Sequence, residues 1–383
     1  MEREYQDDLT TEVLRGDVAK VRRMLRTNVD IEAISEPSGY TPLTAAVIIN
    51  HVELVKLLLE NGADIEKKNG WDLNALMLSM TERSDEMFDL LLNSGADVNS
   101  MDEDGVTPLF VALDPTFEPN RRPLRLMELG ARVNVSNKEG VTPLHCAVVR
   151  YHWEAVVKMI ERGANVNAKT IEGCTPLHAA ASFNNHFSLI DLLVNNGAAL
   201  ENRAERNHTP LLAAVYCGKT ECVQALIRNG ARTDVRDREG TPALVLAAKK
   251  DWPMCEALLS SPEIDIDAVD VFGNTAMHEA VVAENFQLFD ELIRRDAAVD
   301  VQNGAGETPL MLAAQRDLAD VVEELLAKNA DPQLRNGYDE SVFDIAERED
   351  ASETLEVLRL WIEQNILHPG LVFELEDVSS DEE

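Results

Sequence analysis

The chain has 383 residues, 45% of them hydrophobic but only 5% aromatic, which is enough for a core made of thin layers of Leu, Val and Ala. Its formal charge of -34, from 35 basic against 69 acidic residues, repels phosphate backbones and anionic headgroups. Nucleic acid and membrane surfaces are therefore excluded as expected partners, and basic proteins fit better. No run of about 18 apolar residues is available to span a bilayer, and the acidic start Met1–Asp8 is unlike a mitochondrial presequence. The five cysteines, Cys146, Cys174, Cys217, Cys222 and Cys255, are odd in number and follow no secretory leader. Reduced thiols in a soluble intracellular protein are expected, cytoplasmic with nuclear entry left open.

The first helical signal runs from Leu14 through Gly16-Asp17 and Val21 to Met24-Leu25 and predicts a helix-turn-helix module. From there on, a residue ahead of Thr-Pro-Leu or its equivalent marks the origin of each module. The origins are Gly39, Asp72, Gly105, Gly140, Gly173, Asn207, Gly240, Gly273, Gly306 and Asp339, spaced 33 to 35 residues apart. A fixed period of that size means a stacked solenoid rather than one globular core.

Within a module, Thr41, Thr107, Thr142, Thr175, Thr209, Thr275 and Thr308 are placed to cap a first helix, and proline usually follows. Asn74 and Ser341 replace the threonine and cap equally well. Apolar runs such as Val55–Leu59 and Val322–Leu326 predict a second helix. It ends at a left-handed glycine (Gly62, Gly95, Gly130, Gly163, Gly197, Gly230), with Asn28, Asp296 and Asn329 taking that place elsewhere. Three stretches depart from the pattern. Asp114–Pro123 interrupts one module with prolines that shorten both of its helices. Thr241-Pro242 moves proline onto the capping position, and Ser261-Pro262-Glu263 replaces the terminal glycine.

The Gly-x-Thr-Pro-Leu-His run, complete at Gly140–His145 and Gly173–His178, and its copies over residues 5 to about 362 resemble the ankyrin repeat family. The resemblance implies an all-α ankyrin-repeat solenoid of about eleven stacked helix-turn-helix modules with projecting hairpin loops. An N-terminal capping module (1–38), nine repeats (39–338) and a C-terminal capping module (339–362) are expected. Residues 363–383 read as an acidic, disordered tail.

The resemblance also implies a non-enzymatic scaffold or adaptor, a monomer that grips a protein partner with its hairpin tips and concave first-helix face. No catalytic, metal or cofactor site is called for. The charge keeps open a second reading, an escort chaperone for a strongly basic client such as a ribosomal protein or histone. A ubiquitin-ligase substrate adaptor is a third, weakened because residues 363–383 are too short and acidic for a helical recruitment box.

Hairpin tips in this family face solvent, so large apolar side chains there call for a reason. Trp71, Phe272 and Tyr338 each precede a module origin and Tyr40 follows one. These four are the candidate partner-binding residues, Trp and Tyr being favoured anchors; the competing expectation is that they fold back on the adjacent loop. His145, His178 and His278 recur at one position, where the family uses the imidazole for framework hydrogen bonds. Modules about 10 Å apart are too distant for a shared metal. His51, His152 and His186 lie near second-helix starts and read as structural. Ser379 and Ser380 each have a glutamate three residues on, an acidophilic phosphorylation pattern. Asn99 and Asn167 occupy the loop position that asparaginyl hydroxylases modify in some ankyrin proteins.

Overall fold

A computed structural model describes residues 8–36, 38–80, 84–113, 121–183 and 187–366. Residues 114–120 of the interrupted module, His186, Ser379 and Ser380 lie outside the described residues. The chain divides into two compact units, Met1–Ala199 and Leu200–Glu383.

In the first unit α1 (Leu9–Leu14) pairs with α2 (Val18–Met24), α3 (Pro42–Ile48) with α4 (Val52–Glu60), and α5 (Ala75–Ser79) with α6 (Asp85–Asn93). Then come α7 (Pro108–Ala112) with α8 (Arg122–Glu128), α9 (Pro143–Val149) with α10 (Trp153–Glu161), and α11 (Pro176–Phe183) with α12 (Phe187–Asn195). In the second unit α13 (Pro210–Tyr216) pairs with α14 (Thr220–Arg228) and α15 (Ala243–Ala248) with α16 (Trp252–Leu259). They precede α17 (Ala276–Val282) with α18 (Phe286–Arg294), α19 (Pro309–Ala314) with α20 (Ala319–Ala327), and α21 (Val342–Arg348) with α22 (Ser352–Ile366). Helix α22 runs past position 362, where the sequence suggested the tail begins. Within each unit the first helices of successive pairs pack on one another. The described residues contain no β-strand beyond the isolated bridge Arg236–Pro242.

Local chemistry explains where the helices begin. Thr41 Oγ1 accepts the Thr44 N–H at 3.2 Å, Thr209 the Leu212 N–H at 3.3 Å and Thr308 the Met311 N–H at 3.3 Å. Asn74 does the same for Met77 at 2.9 Å. Each bond satisfies one of the orphan donors of a helix start. Thr107 departs from the expectation: it is buried at the start of α7 but makes no side-chain cap bond. Pro242 does occupy the capping position of α15, and its side chain supplies no bond there. In the interrupted module α7 is five residues long, and α8 opens with Pro123 in its first turn.

Chain termination follows the glycine rule with instructive exceptions. Asp296 and Asn329 take left-handed φ values of 55° and 65°, as expected, but Asn28 does not. After α2 the chain leaves through a right-handed Leu25 cap and a turn in which the Thr27 hydroxyl donates to Met24 O, so no left-handed residue is needed. At Ser261 the missing glycine is replaced by side chains. Arg295 donates to the Leu259 carbonyl at 2.8 Å and the Thr233 hydroxyl donates to Ser261 at 3.1 Å.

Module origins have left-handed backbones even where glycine is absent: φ is 62° at Asp72, 63° at Asn207 and 65° at Asp339. Gly306 is the tightest case, with φ of 76° and a hypothetical Cβ only 2.8 Å from the Gly337 nitrogen. Gly306→Ala is expected to destabilise the second unit by about 1–3 kcal/mol, because neither backbone can yield cheaply. Urea unfolding checks this, with Gly197→Ala as reference, since a Cβ at Gly197 meets open space.

The recurrent histidines are part of the frame. His145 Nδ1 accepts the Thr142 N–H at 3.2 Å, and its Nε2 faces the Cys174 carbonyl at 3.1 Å. His278 repeats this with Thr275 at 3.1 Å and the Glu307 carbonyl at 3.1 Å. A carbonyl only accepts, so the proton belongs on Nε2 and the neutral ring bridges two successive loops. Burial lowers the pKa of both rings, partly offset by those carbonyls. The unfolded chain then takes up protons more readily than the folded one. Stability is fully present above the unfolded value of about 6.5 and is lost as pH falls below it. Melting temperature is expected to fall from pH 7 to pH 5, with a shallower fall in His278→Asn.

Candidate functional site

Seven of the ten hairpin tips are wound around one Asn or Asp side-chain acceptor. Asn69 Oδ1 accepts the N–H of Trp71 at 2.9 Å and of Leu73 at 3.1 Å. Asp270 does so for Phe272 and Asn274, both at 2.9 Å, and Asn336 for Tyr338 at 2.9 Å and Glu340 at 3.0 Å. These Asx turns hold the tip residue on the outside of a fixed loop. The sequence reading passed over them. The signal was available as Asn or Asp three residues ahead of the origin at Asn69, Asp102, Asn137, Asp237, Asp270, Asn303 and Asn336.

Successive tips are also stitched by backbone. In the first unit Gly70 N donates to Gly39 O at 2.7 Å, and Ile171 N to Glu139 O at 2.9 Å. In the second, Gly304 N donates to Phe272 O at 2.6 Å and Gly337 N to Ala305 O at 2.7 Å. The tips joined in this way hold a fixed spacing rather than acting as independent loops.

The four candidate residues occupy different surroundings. In the first unit Tyr40 and Trp71 come together, ring centroids 4.9 Å apart and edge to face. Trp71 also lies against the preceding tip: a Cβ on Gly39 would be 2.9 Å from its ring. It is therefore partly folded back, yet still 56% exposed, while Tyr40 is half-buried. In the second unit Phe272 and Tyr338 stand 70% and 81% exposed. Val271 beside Phe272 is exposed too, as is Ile171 at the matching position of a tip in the first unit. Both were missed in the sequence because the residue two before the origin varies from lysine to glycine.

A groove of about 450 Å³ opens in the first unit between α9, α11 and the loops leading into them. Val141, Cys146, Ile171, Cys174 and Phe183 give it an apolar lining, with Ile171 and Phe183 both well exposed. Glu139 and Glu172 stand on its loop side and Arg150 on its helix side. It belongs to the first-helix face named from the sequence. Cys222 and Cys255 lie elsewhere in the core, where burial pushes their thiols up to about 11 and about 12; such thiols are poor nucleophiles. Cys217 is exposed just after α13.

The Asn99 and Asn167 amides are engaged. Asn99 accepts from Arg132 N at 2.8 Å and Asn167 from Ala199 N at 2.8 Å, and each donates to the carbonyl of the glycine ending the next second helix. Asn134 makes the same pair of bonds. Arg122 is buried, its guanidinium turned into the protein.

Stacked helix pairs with stitched, solvent-facing tips define a repeat scaffold. A family model of ankyrin repeats (three copies) matches residues 9–102, 124–204, 179–270 and 250–336, and the chain belongs to the ankyrin repeat family. It is 39% identical over 122 residues to neurogenic locus notch homolog protein 1 of Xenopus tropicalis, covering 30% of this chain and 5% of that protein. It is 31% identical over 171 residues to human palmitoyltransferase ZDHHC13, covering 35% of this chain and 28% of that one. The chain thus spans only a minor part of the curated relatives it matches. Among solved structures, the crystal structure of the ankyrin repeat domain of Bcl-3 aligns with a TM-score of 0.52 at 27% identity. It covers 58% of this chain and 100% of that one, and its description calls Bcl-3 a unique member of the IkappaB protein family. Ankyrin arrays are protein–protein interaction modules, typically without enzymatic activity, and that is the class to which this chain belongs. Among the described residues, no helix is long and apolar enough to cross a membrane.

Proposed function

We propose that the protein is a scaffold or adaptor that grips a protein partner with its hairpin tips and first-helix face, working as a monomer in the cytoplasm. One observation carries this reading. In a chain of net charge -34, the last three tips of the second unit present Val271, Phe272, Gly304, Ala305, Gly337 and Tyr338 at the two positions before each origin, none of them charged. Depletion of charge around exposed aromatic rings is how the energetic centre of a protein interface is built. The first unit supplies Tyr40, Trp71 and the groove at Ile171 and Phe183.

Affinity capture with tagged full-length protein tests it. Wild type is compared with Phe272→Ala/Tyr338→Ala and with Tyr40→Ala/Trp71→Ala, each washed at low and high salt. A partner that survives high salt and is lost from the tip variants supports the scaffold. The net charge of -34 favours the escort chaperone as second reading, which instead gives basic clients that wash off with salt and ignore the tip variants. Ser379 and Ser380 are the proposed phosphorylation sites; phosphate there adds to the negative charge.

A further inference from the structure

In the second unit, at the end of the helix pairs that carries the inter-helix turns, the starts of α18, α20 and α22 border a groove of about 440 Å³. One wall is apolar. Phe286 is 45% exposed there, Leu318 is half-buried, and Phe289 and Val321 are buried beneath them. Apart from Ala319, the rest of the lining is anionic: Asp290, Asp317, Asp320, Glu324 and Glu353. No lysine or arginine lines the groove, and among the described residues none of these five carboxylates forms an ion pair.

That contrast is local. Nearby carboxylates of the same unit are neutralised within the fold: Glu279 by Lys249 at 3.1 Å, Asp296 by Lys328 at 3.0 Å, and Glu291 by Arg295 at 2.6 Å. Part of the groove's acidity has a structural use. Asp317 accepts the Thr354 N–H at 2.8 Å and caps α22, while Asp320 and Glu353 sit in first turns, where the helix dipole favours a negative charge. Asp290 and Glu324 lie beyond the first turns of α18 and α20 and serve no cap, yet line the same groove.

We propose that this groove is a second docking site, separate from the tips, for an arginine side chain presented by a basic segment of a partner protein. Charge complementarity selects a cation, and the exposed ring selects among cations. A planar guanidinium can lie on Phe286 while its N–H groups reach carboxylates on either side. A lysine ammonium is a compact, strongly hydrated point charge and makes poorer use of the apolar wall.

Fluorescence anisotropy of the full chain with a fluorescein-labelled heptapeptide carrying two arginines and a leucine, at physiological salt, tests the assignment. Phe286→Ala and Asp290→Asn/Glu324→Gln are each expected to weaken binding on the order of tenfold, with the circular-dichroism melt unchanged. The lysine version of the peptide should bind several-fold more weakly. Removing the same charge at exposed hairpin-tip positions of the unit, Glu205→Gln/Glu239→Gln, should change binding less than about twofold, since surface charges beyond a Debye length are screened. Phe272→Ala/Tyr338→Ala should leave it intact, so the groove and the tips fail or stand separately. No binding to wild type, equal loss from both charge-removing variants, equal affinity of the lysine peptide, or loss in the tip variant would each overturn the proposal.

Discussion

Arg122→Ala is expected to lower the unfolding free energy by about 3 kcal/mol. The side chain is buried, and its Nη1 donates to the carbonyls of Ser79 at 3.3 Å and Met80 at 3.2 Å. Those carbonyls close α5, which is only five residues long and has few bonds of its own to hold its end. The guanidinium also lies 5.6 Å from the centre of the Phe88 ring. Its contact with Asp85 at 3.0 Å adds little, because that carboxylate is 80% exposed. Loss of the guanidinium leaves two helix-end carbonyls without their donor, each costing about 1–3 kcal/mol. Arg122→Lys recovers only part of this, since one ammonium cannot match the fork. Urea unfolding measures the total, and amide exchange in α5 to α8 locates it. A loss below about 1 kcal/mol would mean that water replaces the guanidinium and that the clamp is not structural.

The second large effect concerns binding. Phe272→Ala/Tyr338→Ala is expected to weaken partner affinity by at least about 2 kcal/mol, roughly thirtyfold, with stability within about 0.5 kcal/mol of wild type. Both rings are mostly in solvent, so the fold loses little when they are cut back. Tyr40→Ala/Trp71→Ala should behave differently. These two rings pack on each other and on Gly39, so their removal costs stability as well as contact surface. The difference between the two pairs separates an anchor from a packing residue.

The ankyrin frame was legible because each of its parts has a residue-level cause. Threonine caps, proline at the first turn and left-handed ends recur at one spacing, and each acts within a few residues of itself. Thr107 and Asn28 show the limit of that reading: both residue types fit the expected role, yet Thr107 makes no cap bond and the chain after α2 turns through Leu25 and Thr27 instead. Arg122 was out of reach for a different reason, since its carbonyl partners lie about forty residues away. The tip aromatics were visible as residues out of place. Their division into a packed pair and an exposed pair was not, because it depends on what meets the preceding tip: Gly39 receives the Trp71 ring, while at the corresponding Gly240 and Gly306 the nearest atoms are the Val271 side chain and the Gly337 backbone. The groove under Phe286 lacks a sequence signature altogether, being assembled from three modules in a chain with 69 acidic residues.

Hydrogen exchange of the full-length protein, free and bound to its salt-resistant partner, tests the scaffold most directly. The expected result is new protection of tip amides in the second unit, at Phe272–Asn274, Ala305–Glu307 and Tyr338–Glu340, with the second helices unchanged. Protection confined to the second helices, with those tips exchanging as in the free protein, would contradict it.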